Sequence, residues 1–224
     1  VDSNRILAAR LEEQEAELAR SYDAQKQMRE RQVMLEERQR IVRDMHDGIG
    51  GQLLGLMMQV KRGDTDLGSV EQGLQSSIAD LRLIVDSMDT AEEGLAEALR
   101  AFEHRVRPQA EAAGFVFSFR LDLSDDEPGP GPRPTLQILR VLQEAVTNAI
   151  RHSEGSGIAI VCGYGREGWI VITVSDDGRG LPEQVRGGRG LANMRHRLGT
   201  IGGALQVEPV ETGGTRIRLE LPRV

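Results

Sequence analysis

The chain of 224 residues is long enough for one or two domains with a buried core, and its 28% charged and 39% hydrophobic residues are typical of a soluble globular protein. Its net charge of −7 argues against a nucleic-acid-binding surface, because phosphate contacts need clustered positive charge. Cys162 is the only cysteine, which excludes an internal disulfide, and no apolar run approaches the ~20 residues that a membrane span needs.

The start of the chain favours a fragment of a longer protein, since Val1 is not a methionine and no signal peptide follows it. A single thiol fits a reducing compartment. We therefore expect this part to be cytoplasmic, with any anchor in the inner membrane supplied by an upstream region.

A long amphipathic helix is predicted over residues 4–62, which contain no proline and no glycine before Gly48. Its apolar residues recur mostly at spacings of three, four or seven, as in a coiled-coil seam: Leu7, Leu11, Leu18, Met28, Leu35, Val42, Met45, Ile49, Leu53, Leu56 and Val60. Residues 62–68 predict a turn, and a second heptad pattern follows over residues 70–88. Two such helical hairpins would hide both seams in a four-helix bundle, so we expect a homodimer.

The C-terminal region is predicted to be an α+β domain whose helices pack on one face of a mixed sheet. A capping-box pattern from Thr90 to Glu93 marks its boundary. Helices are expected at residues 95–113, where Pro108 would introduce a kink, at 135–152, and from the end of a glycine-rich stretch (176–190) to about 201. Strands are expected at residues 115–123, 158–164, 169–174, 204–210 and 215–221.

Three clusters in this region are suited to binding a nucleotide. Glu144 and Asn148 lie four residues apart on one helix, so both face the same side and could hold hydrated Mg²⁺ through oxygen ligands, although a polar solvent-exposed stripe has the same pattern. Asp176 follows an apolar strand and precedes Gly178 and Gly180; its carboxylate could accept a hydrogen bond from adenine, although Asp-Gly is also a common turn. The third cluster, Gly187-Gly188-Arg189-Gly190-Leu191, leads into a helix whose N-terminus could cradle phosphate.

The order of these clusters, completed by Gly213-Gly214-Thr215, closely resembles the nucleotide-binding region shared by gyrase, Hsp90, histidine kinases and MutL, over about residues 95–224. The resemblance implies that Asn148 coordinates Mg²⁺ and that Asp176 contacts adenine. It implies a lid over the phosphates, unusually short at residues 181–187. The lid glycines and the residues expected to help bind the nucleotide are Gly178, Gly180, Gly188, Gly190, Arg151 and His152.

A fourth motif lies on the predicted first helix. It is the string of residues 37–48, in which His46 is followed directly by Asp47. A histidine on a coiled coil is usually only solvated. Here Asp47 could accept the Nδ1 proton and leave Nε2 as a nucleophile towards the γ-phosphate. Arg43, one turn earlier, could steady the incoming phosphoryl charge.

This string resembles the phosphoacceptor box of the histidine kinases that pair with LuxR-type response regulators, and the combined resemblance spans residues 31–224. The resemblance implies a dimerisation and phosphotransfer domain (31–91) and an ATP-binding domain (92–224), and the heptad pattern before them predicts a signalling coiled coil (1–30). The implied function is ATP-dependent autophosphorylation of His46, followed by transfer to an aspartate of a regulator. Two alternatives stay open: an ATP-driven clamp of the Hsp90 or gyrase type, with Glu144 as the base for hydrolysis, and a non-catalytic scaffold.

One position departs from this family. Members that also dephosphorylate their regulator commonly carry Gln or His four residues after the acidic residue, whereas this chain has Gly51, and Gln52 comes one residue late. Gly48, Gly50 and Gly51 each cost about 1 kcal/mol of helix stability relative to alanine. We expect these glycines to loosen the helix beside His46.

Overall fold

The computed structural model describes residues 2–63, 67–89, 94–125, 129–166, 168–180, 189–211 and 213–223. Contacts within the chain divide it into two units, residues 1–50 and 51–224. None of the helices in the described ranges is long and apolar enough to cross a membrane. The predicted capping box at residues 90–93 lies outside the described residues.

The N-terminal part is helical, as the heptad pattern predicts. The first helix, α1, covers Asp2–Arg62, and the second, α2, covers Leu67–Asp89. Gly63 ends α1 by donating its N–H to the carbonyl of Val60 at 3.1 Å. Gly73 of α2 lies directly against Leu56 of α1: a Cβ added at Gly73 would stand only 2.5 Å from the Leu56 side chain. The absence of a side chain at Gly73 therefore allows the two helices to approach closely.

A five-stranded mixed sheet with three helices follows. The elements are α3 (Leu95–Ala112), β1 (Val116–Leu121), α4 (Pro132–His152), β2 (Gly157–Tyr164), β3 (Trp169–Asp176), α5 (Arg189–Gly199), β4 (Ala204–Pro209) and β5 (Thr215–Pro222). The strand order is β1-β2-β3-β5-β4, with β1 parallel to β2 and every other pair antiparallel. The α+β architecture with a mixed sheet is thus confirmed.

Two helix starts in the C-terminal region differ from the sequence prediction. Helix α4 begins at Pro132 rather than at residue 135, because a proline in the first helical turn lacks only an N–H that would have no partner there. Helix α5 begins at Arg189, so Gly190 lies inside its first turn and not in a loop before it. Pro108, predicted to kink α3, lies within one continuous helix.

The core lies between the sheet and the helices. Along β2 and β3 alternate residues are buried, which places Ile160 and Ile172 on the inner face. Phe102 of α3 and Leu142 of α4 are fully buried against that layer, and burial of each such side chain stabilises the fold by roughly 1.5–3 kcal/mol. Cys162 is also fully buried, and burial raises the pKa of its thiol to about 12, as suits a purely structural residue.

Candidate nucleotide site

One face of α4 carries the polar residues of the first cluster. Its other face supplies Leu139, Leu142 and Val146 to the core, so the 3.6-residue period turns Glu144 and Arg151 outward and leaves Asn148 half-buried. Gly190 of α5 lies over this face: a Cβ there would be 2.9 Å from Glu144 Oε1 and 4.0 Å from Asn148 Nδ2. The first and third clusters are therefore in contact through a residue without a side chain.

The second cluster forms around Asp176, the last residue of β3. Its Oδ1 accepts hydrogen bonds from the backbone N–H of Gly178 at 3.0 Å and of Thr215 at 3.3 Å. Gly180 approaches the Gly214 carbonyl, since a Cβ at Gly180 would lie 3.4 Å from that oxygen. The glycine motif after β3 and the start of β5 therefore meet at one carboxylate.

Sequence reasoning missed the neighbouring residue, Asp177, as a member of the site. Its carboxylate accepts hydrogen bonds from the N–H groups of Ser156 and Gly157, at 2.7 and 2.8 Å, and from Ser156 Oγ at 2.8 Å. These bonds, with that from Gly157 the largest contributor, hold the pKa of Asp177 below its usual range. The only local signal was a second acid directly after Asp176, because the donors Ser156 and Gly157 lie 21 and 20 residues away along the chain.

A polar cavity of about 430 Å³ opens beside α4. It shares Glu144 and Arg151 with the candidate site and reaches Gln75 and Ala79 of α2. Helix α5 forms another wall and is tied to α4 by the hydrogen bond that Arg197 donates to Gln137 Oε1, at 3.3 Å. Space for a polar ligand therefore adjoins the face that carries Glu144.

The oxygen atoms of Glu144 and Asn148 are of the type that Mg²⁺ prefers. In the part of the chain that the structure describes, no group of three or more His, Cys, Asp or Glu side chains could hold a metal. The side chains in the described part of the chain therefore do not form a complete metal site by themselves. The donors fit Mg²⁺ as it commonly binds in nucleotide sites, through one or two protein oxygens together with substrate phosphates and water.

Several predicted site residues lie elsewhere or outside the described residues. Gly188 and the lid at residues 181–187 are outside them, and so are the side chains of His46 and Asp47, whose backbone belongs to α1. Arg43 is exposed on α1, and its Nε donates to the carbonyl of Gln39 at 3.4 Å. His152 is exposed at the last position of α4, and Leu191 is buried in α5.

Two known protein families match separate segments of the chain. Residues 134–224 match the family described as histidine kinase-, DNA gyrase B- and HSP90-like ATPase, and residues 37–111 match the family described as histidine kinase. The chain belongs to the histidine kinase family. Because the second match contains the His46 string, the comparisons favour a two-component kinase over an Hsp90-like clamp.

Curated relatives of this histidine kinase chain agree with the assignment. It is 34% identical over 205 residues to the sensor histidine kinase YxjM of Bacillus subtilis, a match that covers 86% of the chain and 49% of that protein. It is 27% identical over 231 residues to the nitrate/nitrite sensor protein NarX of Escherichia coli, covering 96% of the chain and 37% of NarX. The chain thus spans about half the length, or less, of these two relatives.

A solved structure supports the fold of the kinase. The blue-light activated histidine kinase of Erythrobacter litoralis EL346 aligns with a TM-score of 0.59 and 20% identity. The alignment covers 82% of this chain and 59% of the Erythrobacter chain. At that identity the likeness concerns the fold alone.

Proposed function

We propose that this chain is an ATP:protein-histidine phosphotransferase that modifies His46. One observation carries the proposal: the fold gathers Asp176 with Thr215, and Gly190 with Asn148, in the domain that follows the matched histidine string. In the reaction, Nε2 of His46 forms a bond to the γ-phosphorus of ATP. The bond from that phosphorus to the bridging oxygen breaks, and ADP leaves.

Asp176 is the residue proposed to recognise adenine. Its Oδ1 accepts two backbone N–H groups and orients the carboxylate, so that its other oxygen can accept a hydrogen bond from an exocyclic amine. Asn148 is proposed to hold Mg²⁺, with Glu144 beside it, while Arg151 and His152 help to bind the phosphates. When bound, Mg²⁺ neutralises phosphate charge during a loose phosphoryl transfer.

Two residues beside His46 are proposed to prepare it. Asp47 accepts the Nδ1 proton, which leaves Nε2 with its lone pair directed at the phosphorus. Arg43 is exposed one turn earlier on α1, where its guanidinium can meet the negative charge of the incoming phosphoryl group. Both roles rest on the sequence of the motif.

Exposed apolar residues support a homodimer. Large apolar side chains are exposed along α1 and α2, with Leu18 70% and Met28 75% exposed, although their spacing is that of a seam. The side chain of Ile78 in α2 is likewise 50% exposed. We propose that a second copy covers them in a coiled coil at residues 1–30 and a four-helix bundle at residues 31–91, with residues 92–224 as the ATP-binding domain.

The proposed partner is the receiver domain of a LuxR-type response regulator. The phosphoryl group would pass from His46 to an aspartate oxygen of that domain, so that the N–P bond breaks as the O–P bond forms. The names of the relatives, a sensor kinase and a nitrate/nitrite sensor, support a role in signalling. ATP and a receiver domain are both available in the cytoplasm, where we place the reaction.

The test is phosphorylation with Mg²⁺ and γ-labelled ATP. We expect an acid-labile, alkali-stable label on the wild type and none on His46→Gln or Asn148→Ala. His104→Gln is the matched control, because His104 is an exposed histidine on another helix. Label retained by His46→Gln would contradict the proposed acceptor, and hydrolysis of ATP without any label would favour the clamp.

A further inference from the structure

The turn between α4 and β2, residues 153–157, is bound to the segment that follows β3, residues 177–179. Asp177 accepts the two N–H groups and the hydroxyl described above. Arg179 donates its backbone N–H to the carbonyl of Ser153 at 2.8 Å, and its side chain pairs with Glu154 at 2.7 Å. We name this set of contacts, between residues 153–157 and 177–179, the turn clamp.

The two segments approach each other closely at two glycines. A Cβ at Gly178 would overlap the Ser153 carbonyl, and a Cβ at Gly155 would overlap the Asp177 carboxylate. Glu154 adopts a positive φ of 56°, which L-residues other than Asn and Asp rarely do. The turn therefore follows a demanding path that brings its N–H groups to Asp177.

Asp177 is the central member of the turn clamp. The Arg179–Glu154 pair is 56% and 68% exposed, and exposed ion pairs of this kind contribute little. Asp177 instead uses both carboxylate oxygens for three donors, two of which are backbone N–H groups. Hydrogen bonds to a charged acceptor are among the stronger kinds.

The position of the turn clamp connects the two groups of site residues. The turn leaves α4 directly after Arg151 and His152, five residues beyond Asn148. Asp177 directly follows Asp176, so its side chain emerges from the residue next to the one proposed to bind adenine. A shift of the turn relative to β3 would change the distance between Asp176, which is proposed to bind adenine, and Asn148, which is proposed to hold Mg²⁺.

We propose that Asp177 is a positioning residue for ATP: it fixes the end of α4 against the end of β3, so that one ligand can reach both Asp176 and Asn148. The proposal rests on the function proposed above. It predicts that loss of the Asp177 carboxylate affects a ligand that spans both groups more than a ligand that touches only Asp176.

The experiment compares the affinities of Mg-ATP and of adenosine, each measured by displacement of a fluorescent nucleotide. In Asp177→Ala we expect Mg-ATP to bind about tenfold more weakly, as loss of one charge-assisted hydrogen bond would cause, and adenosine to change less than about threefold. Asp177→Asn keeps an acceptor oxygen for the N–H groups and should recover most of the affinity. The control is Asp122→Ala, which removes an exposed carboxylate paired with Arg120 at 3.0 Å.

The outcomes distinguish a positioning role from a general loss of stability. Equal weakening of both ligands, together with a lower melting temperature, would reduce Asp177 to a purely structural role. Unchanged Mg-ATP affinity in Asp177→Ala would overturn the positioning role while leaving the proposed kinase intact. A wild type that binds no Mg-ATP would refute the proposed function, and the positioning role would fall with it.

Discussion

Gly190 lies against Glu144 so closely that a methyl group on Gly190 would stand 2.9 Å from Glu144 Oε1. The contact joins the first turn of α5 to the polar face of α4 at the point where Asn148 also faces Gly190. Because the nearest atom is the end of a flexible side chain, Glu144 can move aside.

We therefore expect Gly190→Ala to weaken nucleotide binding with little effect on the stability of the fold. We expect the free energy of unfolding to change by less than about 1 kcal/mol, since alanine favours the helix and Glu144 can rotate away. The affinity for Mg-ATP should fall about tenfold, because the methyl group displaces Glu144 and narrows the space beside Asn148. Gly199→Ala, at the other end of α5 with nothing within 4 Å, is the control for both measurements. Unchanged Mg-ATP affinity would show that this contact lies outside the nucleotide site.

Gly214→Ala should destabilise the domain strongly. Gly214 has a φ of 95°, and an added Cβ would overlap the backbone carbonyl of Asp176, which cannot rotate away as a side chain can. The backbone conformation and the overlap together should cost about 3 kcal/mol or more in denaturant unfolding.

Gly168→Ala separates these two costs. Gly168 has a φ of 80° but nothing within 4 Å of an added Cβ, so we expect a loss of only about 1–2 kcal/mol. Equal losses in the two variants would mean that the contact between Gly214 and Asp176 contributes nothing.

The pKa of Asp177 gives the domain an acid-sensitive contribution to stability. Since hydrogen bonds lower this pKa from its ordinary value of 3.8, the contribution is present above pH 3.8 and is lost as the pH falls through the depressed value. Asp177→Asn should be less stable than the wild type at pH 7, and the difference should narrow below pH 3.8. Thermal melts across this range test the prediction, and a constant difference would contradict it. The nearby charges of Asp176, Glu154 and Arg179 are the same in both proteins.

The glycines after His46 should matter for phosphorylation rather than for packing. An added Cβ at Gly50 or Gly51 meets nothing within 4 Å, so alanine at both positions should stabilise α1 by about 1 kcal/mol each and slow amide exchange there. If bending at this point helps the ATP-binding domain to reach His46, the stiffened helix should be phosphorylated several-fold more slowly. Gly55→Ala, equally unobstructed and on the same helix, is the control. Normal phosphorylation of the double variant would refute the hypothesis.

The sequence was sufficient for the order and type of the elements because their signals are local. Heptad spacing predicted α1 and α2, and the strand patterns at residues 158–164 and 169–174 predicted β2 and β3, which the structure confirms. The motif around Asp176 was recognisable because its glycines and carboxylate lie within five residues of one another.

Contacts between distant segments were not predictable in the same way. The hydrogen bond from Thr215 to Asp176 joins residues 39 apart, and it exists only because β5 lies next to β3 in the sheet. Asp177 received no role from the sequence, since nothing in its immediate neighbours reveals that Ser156 and Gly157 donate to it. Pairing of this kind depends on the strand order, which local patterns do not encode.

The place of β5 in the sheet has a consequence for synthesis of the protein. A ribosome makes β5 after the other four strands, yet β5 lies between β3 and β4 and, among the described strands, is the partner on which β4 depends. The hairpin of β2 and β3 can form as soon as both strands have emerged, whereas β4 must wait for its neighbour. The hydrogen bond from Thr215 to Asp176 also depends on β5, so a nascent chain completes the proposed nucleotide site only in the final step of sheet assembly.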